Sequence, residues 1–273
     1  MAKRKSSQTR TVSLVLLVVV VLLVVAYGVN SCNGGNLLPL PTIPAVLTVL
    51  PNLGVTPAPI TTGAPVGGLP DMPTKPKPQQ VTFKGCPPEG DGGDPVLNRN
   101  KNRVDDGAYV PVAFDALVKL AWPSAIERKN HANWSASAAA AVARYEGIPV
   151  VTEGYLAGAK EEGPESPNCH GADFEFHDFH VWLTKNAGED RSNAIVVETT
   201  PRVRAKHPAW TVSALSQIAR GQQRVRISGW WMLDPEHPDQ LGQTRGTLWE
   251  IHPIMLIEVE RGGRWVSLDD AAR

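Results

Sequence analysis

The chain has 273 residues, with 27 basic against 27 acidic side chains, 24 Pro and 24 Gly. The even balance conceals an asymmetry: six basic residues and one acidic residue precede residue 81, which leaves 21 basic and 26 acidic beyond it, a net of −5. A domain of that sign lacks the overall basic surplus from which nucleic-acid binders draw affinity, although a local patch remains open to it.

Residues 1–10 form a basic tail with Lys3, Arg4, Lys5 and Arg10. Thr11–Val29 follow without a charge, and as a helix this run spans about 28 Å, close to the hydrocarbon core of a bilayer. The pattern predicts a transmembrane signal-anchor with its basic flank in the cytoplasm and the rest of the chain outside. Val29-Asn30-Ser31-Cys32 also resembles a lipobox, in which case Cys32 is lipidated and the protein is a lipoprotein. A cleaved secretory signal is the third reading, against which the length of the run counts. The first two readings both make the membrane a partner of the N-terminus.

Residues 30–80 read as a Pro-rich disordered linker. Positions 33–80 hold 11 Pro and 6 Gly, a composition that favours extended polyproline II at ~3 Å per residue. Its role is that of a spacer. The folded part is divided into an arm and helix at 81–147 and a barrel at 148–273. Cys86 and Cys169 lie in it. Outside the cytoplasm they form either a disulfide, worth ~2–4 kcal/mol, or two reduced buried thiols.

Residues 85–95 are too rich in Gly and Pro for helix or strand. Asp91, Asp94, Asp105 and Asp106 nearby suit surface turns better than a hard-cation loop. Asn133 or Ser135 caps a helix over Ala136–Glu146, which ends at Gly147. Strands follow at Ile148–Lys160, Asp178–Lys185 and Ala194–Thr200. A helix at Val212–Arg220 comes next, then strands at Arg224–Asp234 and Thr247–Glu260.

Three strands, a helix and two strands make a mainly β fold with helices (α+β). This order resembles the OB-fold, a small five-stranded barrel. Asp178 through Thr200-Pro201-Arg202 and Lys206-His207-Pro208 resembles strands two and three of the thermonuclease branch. That resemblance implies a metal-binding aspartate at Asp178 and a strand-three arginine near Arg191. It also implies a general base at the third residue of a Thr-Pro-Glu; here that residue is Arg202, so the base is missing from its place.

The densest chemistry lies in Cys169, His170, Asp173, His177, Asp178 and His180, whose residue types suit a divalent metal ion, with His177, Asp178 and His180 as the metal set. If the hairpin turns near Gly188–Asp190, numbers on facing strands sum to about 378. His180 then lies opposite Glu198, a metal pair or an acid–base pair. A second set is Glu250 and His252, on the strand face opposite Trp249 and Ile251 and read as a partly exposed pair. His180, Glu198, Glu250 and His252 are the candidate catalytic residues. Arg202, Arg224, Arg226 and Trp230 form the candidate ligand-binding patch for a polyanion.

No Gly-rich phosphate loop, His-Glu-x-x-His helix or Gly-x-Ser-x-Gly elbow is present, which disfavours nucleotide-driven chemistry and serine hydrolysis. The leading expectation is a non-catalytic, membrane-anchored OB-like module that binds an oligosaccharide or nucleic-acid strand. The alternatives are a metal-dependent hydrolase of phosphodiesterase or nuclease type and a structural envelope protein. Convergence of His177 or His180 with Glu198, Glu250 and His252 in one concave pocket separates the hydrolase from the others.

Overall fold

The computed structural model of the chain describes residues 69, 70, 72 and 75–272. The expected anchor at 11–29, Cys32 and most of the linker lie outside the described residues. Among the described residues no helix is long and apolar enough to cross a membrane. Gln79 and Gln80 already pair with the domain: the Gln79 carbonyl accepts from the Val104 amide, and Gln80 bridges to Arg103.

An arm comes first, with α1 (Pro95–Lys101), β1 (Val110–Pro111), α2 (Phe114–Val118) and α3 (Ala136–Ala143). The strands β2 (Ile148–Glu161), β3 (Phe179–Thr184) and β4 (Ile195–Thr199) follow, then α4 (Pro201–Arg204) and α5 (Val212–Arg220). The chain closes with β5 (Arg224–Leu233), β6 (Trp249–Arg261), β7 (Arg264–Ser267) and α6 (Leu268–Ala271). Local chemistry explains the helix bounds. The side chains of Ser135, Thr200 and Thr211 accept amides at the starts of α3, α4 and α5, and Pro201 occupies the first turn of α4. α3 stops short of the expected Glu146, and Gly147, at φ +79°, turns the chain into β2.

Strands β2, β3, β4, β6 and β5 pair in that order, and β5 returns to β2, so five strands close into a barrel. β4 and β6 run parallel; the other four pairings are antiparallel. β1 adds to β2 in parallel and β7 adds to β6 antiparallel. The result is a mixed α+β fold with two extra strands and, among the described residues, six helices. It is compatible with an OB-like barrel.

Alternation along the strands divides the side chains between two layers. Val181, Leu183, Ile195, Val197, Val225, Ile227, Trp231, Trp249 and Ile251 belong to one hydrophobic core, joined by Leu215 and Ile218 of α5. Trp231 and Trp249 stack there with centroids 5.8 Å apart. Where β5 and β6 cross at their bulged register, a Cβ on Gly229 would lie 2.4 Å from the Pro253 carbonyl oxygen, so only glycine fits.

The alternate positions His180, Trp182, Glu198, Glu250 and His252 face away from that core, yet they too are buried. The arm and the loops at 162–178 and 234–248 cover them. One consequence is testable in the core: Trp231→Ala should cost about 3–5 kcal/mol. Urea unfolding of the variant against the parent chain measures it.

Candidate metal centre

The register of β3 and β4 places His180 opposite Glu198. His180 Nδ1 lies 2.8 Å from Glu198 Oε1 and 3.0 Å from Glu162 Oε1. Glu162 follows the last residue of β2, and its amide donates to the Asp178 carbonyl, extending the β2–β3 ladder by one rung. On β6, His252 presents Nδ1 at 3.6 Å to both Glu198 Oε2 and Glu250 Oε2, and Nε2 at 3.5 Å to Asp178 Oδ2. Asp178, Glu250 and His252 have no solvent exposure.

Two sets therefore hold ligand atoms within 4.8 Å of one another: Glu162, His180 and Glu198, and Asp178, Glu198 and His252. Glu198 belongs to both. The first set opens on a cleft of about 390 Å³ whose walls also carry Glu165, Trp182, Lys101 and Arg245. The second lies behind it.

A surrounding layer holds these groups in place. Arg245 Nη1 donates to Glu250 Oε1 at 2.7 Å, and Lys101 Nζ to Asp234 Oδ2 at 3.1 Å, both pairs buried. Asn168 Nδ2 donates to Asp178 Oδ1 at 2.9 Å. Arg202 in turn donates to the side-chain oxygens of Asn168 and Asn102 and to the carbonyls of Cys86 and Pro87. A Cys86–Cys169 disulfide fastens the same loop to the arm.

The candidate catalytic residues His180, Glu198, Glu250 and His252 thus converge, and Asp178 joins them. Glu250 and His252 are fully buried rather than partly exposed, because the arm and the 234–248 loop cover their strand face. His177 does not join: Nδ1 meets Glu161 at 2.6 Å and Nε2 the Gly171 carbonyl at 3.1 Å.

The four residues read as a ligand-binding patch do not form one surface. Arg202 is buried as the clamp just described. Trp230 is buried under the Arg103 guanidinium, 3.2 Å from its ring centroid, and donates Nε1–H to the Asp105 carbonyl. Arg226 makes a two-pronged pair with Glu258, and Arg224 pairs with Glu153 and Glu260, so nearby carboxylates match both charges. Arg191 stacks on Trp182 at 3.7 Å. Of the aspartates near the irregular stretch, Asp94 caps α1 and Asp105 pairs with Arg103.

Glu162, Arg245, Lys101 and Asn168 escaped the sequence reading. Glu162 had a signal: pairing β2 with β3 sets 160 against 180 and carries Glu162 to the cluster. The other three lie in α1 or loops, where no strand or helix period links them to the barrel.

Burial alone would pull the His180 pKa down. The Glu198 charge and the hydrogen bonds to Glu162 and Glu198 outweigh it and push it up to about 9. His252 follows the same logic: burial is overcome by Asp178, Glu250 and Glu198, which raise it to about 10. At 3.5–3.6 Å those contacts are ion pairs and fall outside hydrogen-bond range. Burial pushes Glu165 up to about 8 against the pull of Lys101, with the charges of Glu198, Asp178 and Glu162 adding to it. Burial also opposes the charge of Glu162, but His180 and Lys160 hold it at about 2.

No protein-family model matches the chain, and neither a curated protein nor a solved structure matches it. Its class is given by its own fold, a closed five-stranded α+β barrel with a buried carboxylate–imidazole cluster on the outer face of three strands.

Two predictions arise here. In the metal-free protein, the raised His180 pKa contributes stability that is complete below the unfolded value near 6.5 and is lost as pH rises through about 9. Unfolding free energy should fall over that window, and the His180 ring, followed by NMR, should titrate near its upper end. The second concerns Lys101 and Asp234. Lys101→Met alone should cost about 3–5 kcal/mol, because it strips a buried carboxylate of its cation. Adding Asp234→Leu should recover much of that loss in a denaturant double-mutant cycle.

Proposed function

We propose that the barrel is a metal-dependent hydrolase domain, with a divalent ion held at the floor of the cleft by Glu162, His180 and Glu198. The observation that carries this reading is the convergence of these three groups on the cleft floor, at a place where buried negative charge is in excess. Glu198 and Asp178 face the two histidines without a Lys or Arg salt bridge among the described residues, while Lys101, Arg245 and Lys160 are already matched to Asp234, Glu250 and Glu162. Excess buried anion calls for a cation, supplied either by protons on the imidazoles or by a metal ion.

A bound divalent ion supplies Lewis acidity and a water that ionises near neutral pH. The protein's share is positional. His180 and Glu198 sit on adjacent rigid strands, and Glu162 is fixed by its backbone bond to Asp178 and by Lys160. Glu165 lines the cleft beside the three ligands, a position from which a carboxyl group can exchange a proton with substrate or water. Trp182 lines the cleft and is stacked by Arg191.

The position of the site supports the same reading. It occupies the second and third barrel strands beneath the first and last inter-strand loops, the face on which OB-folds receive oligonucleotides and oligosaccharides. This is an argument from fold analogy, and it favours an extended substrate. A phosphodiester is the first class to test. The non-catalytic polyanion-binding reading loses its footing with the dispersal of Arg202, Arg224, Arg226 and Trp230.

The test uses the full chain, freed of metal and reloaded with Mn²⁺ or Zn²⁺. Retained metal and hydrolysis of bis(p-nitrophenyl) phosphate are expected, and both should fall at least about 100-fold in Glu198→Gln and His180→Asn. No retained ion would remove the reading. Retained ion without turnover of phosphodiesters, carboxylic esters or glycosides would leave a metal-binding module and discard the hydrolase.

A further inference from the structure

We propose that the centre is dinuclear: a second divalent ion binds behind the first, between Asp178, Glu198 and His252, and the Glu198 carboxylate bridges the two. This rests on the reading of the cleft-facing site but is carried by a different observation. His252 is fully buried, and among the described residues neither of its ring nitrogens has a hydrogen-bond partner; the same holds for Asp178 Oδ2 and Glu250 Oε2. Buried polar atoms are nearly always satisfied, so two orphaned ring nitrogens and two orphaned carboxylate oxygens beside them call for a cation, which takes one nitrogen while the other keeps its proton toward the remaining carboxylate.

The spacing suits a cation. The 3.5 and 3.6 Å separations around His252 are too long for good hydrogen bonds. Two ligands on one tetrahedral ion, with bonds of 2.0–2.2 Å, stand about 3.4 Å apart. An ion takes one nitrogen of the ring: Nδ1 faces Glu198 and Glu250, and Nε2 faces Asp178. Either choice keeps the donor set mixed, imidazole with carboxylates, which suits Mn²⁺, Fe²⁺ or Zn²⁺.

Glu198 is placed to bridge. Its Oε1 approaches His180 and its Oε2 approaches His252, so one carboxylate addresses both histidines with different oxygens. The outer contacts are those of fixed ligands. The second oxygen of Asp178 is held by Asn168, which Arg202 holds in turn, and the second oxygen of Glu250 is held by Arg245. Such contacts orient metal ligands in built sites.

The experiment is Mn²⁺ titration of the metal-free full chain, with metal content measured per chain and low-temperature electron paramagnetic resonance of the loaded protein. Two Mn²⁺ per chain with an exchange-coupled spectrum are expected. His252→Gln and Asp178→Asn should each retain one ion and give the six-line signal of an isolated Mn²⁺. Using both variants, each checked by circular dichroism, guards against one failing to fold. Glu198→Gln should abolish the coupled spectrum. One ion in the parent chain would overturn the second site and leave the cleft-facing one standing. Two ions without coupling would place the second elsewhere and overturn the bridge. No ion at all would overturn the underlying reading as well.

Discussion

His180 and Glu198 face each other across β3 and β4 on the side of the barrel turned away from its core, and the covering of that side shapes much of the molecule. A strand has two faces, and in β3 and β4 both are buried. The inner face is apolar and needs no further account. The outer face carries ionisable groups, so covering it removes water from charges that must then be matched inside the protein. Matching succeeds at the edges: Lys101 meets Asp234, Arg245 meets Glu250, and Lys160 meets Glu162. It fails at the centre, where His252 touches three carboxylates and bonds well to none. A network complete at its rim and open in its middle is the pattern of a cage.

Most of the cover hangs on Arg202. Its guanidinium reaches the arm at Val81, Cys86, Pro87 and Asn102 and the 162–178 loop at Asn168. The disulfide ties the same two segments a second time. Burial lowers the Arg202 pKa to about 10 despite the Asp178 charge, which leaves the group cationic at neutral pH. The clamp therefore does two things at once. It holds the arm on the barrel, and through Asn168 it fixes the orientation of Asp178. Loss of the clamp would loosen the site and the fold together, so stability and chemistry are coupled here.

Much of the barrel was legible because alternation is a local signal. The helix at Val212–Arg220 was read to the residue, and the strands fell within a residue or two of their places. The hairpin sum of about 378, set by a turn near Gly188–Asp190, gave the pairing of His180 with Glu198, which a slip by one residue would have destroyed. Burial of Glu250 and His252 was not legible. Alternation correctly set them opposite Trp249 and Ile251, but what covers the outer face is decided by irregular loops and by the distant α1, for which strand alternation gives no signal. Arg202 and Trp230 misled for the same reason. A basic side chain just past a strand end, or an aromatic one on an outer strand face, reads as surface until an arm lies over it.

The position of Arg202 also bears on the chemistry. In the thermonuclease-like pattern, the residue after Thr-Pro at the end of the third strand carries the general base. Here Thr200 and Pro201 open a short helix and the next residue is a buried cation committed to structure. A base cannot be recovered at that point by movement, since Arg202 is held by five oxygens. The carboxylates that line the cleft are Glu198, four residues earlier, with Glu162 beside it, and Glu165, Asp234 and Asp239. Any hydrolytic mechanism on this barrel must therefore draw its base from the cleft walls. Glu165 is the best placed of the three glutamates, because it lines the cleft without belonging to either ligand set.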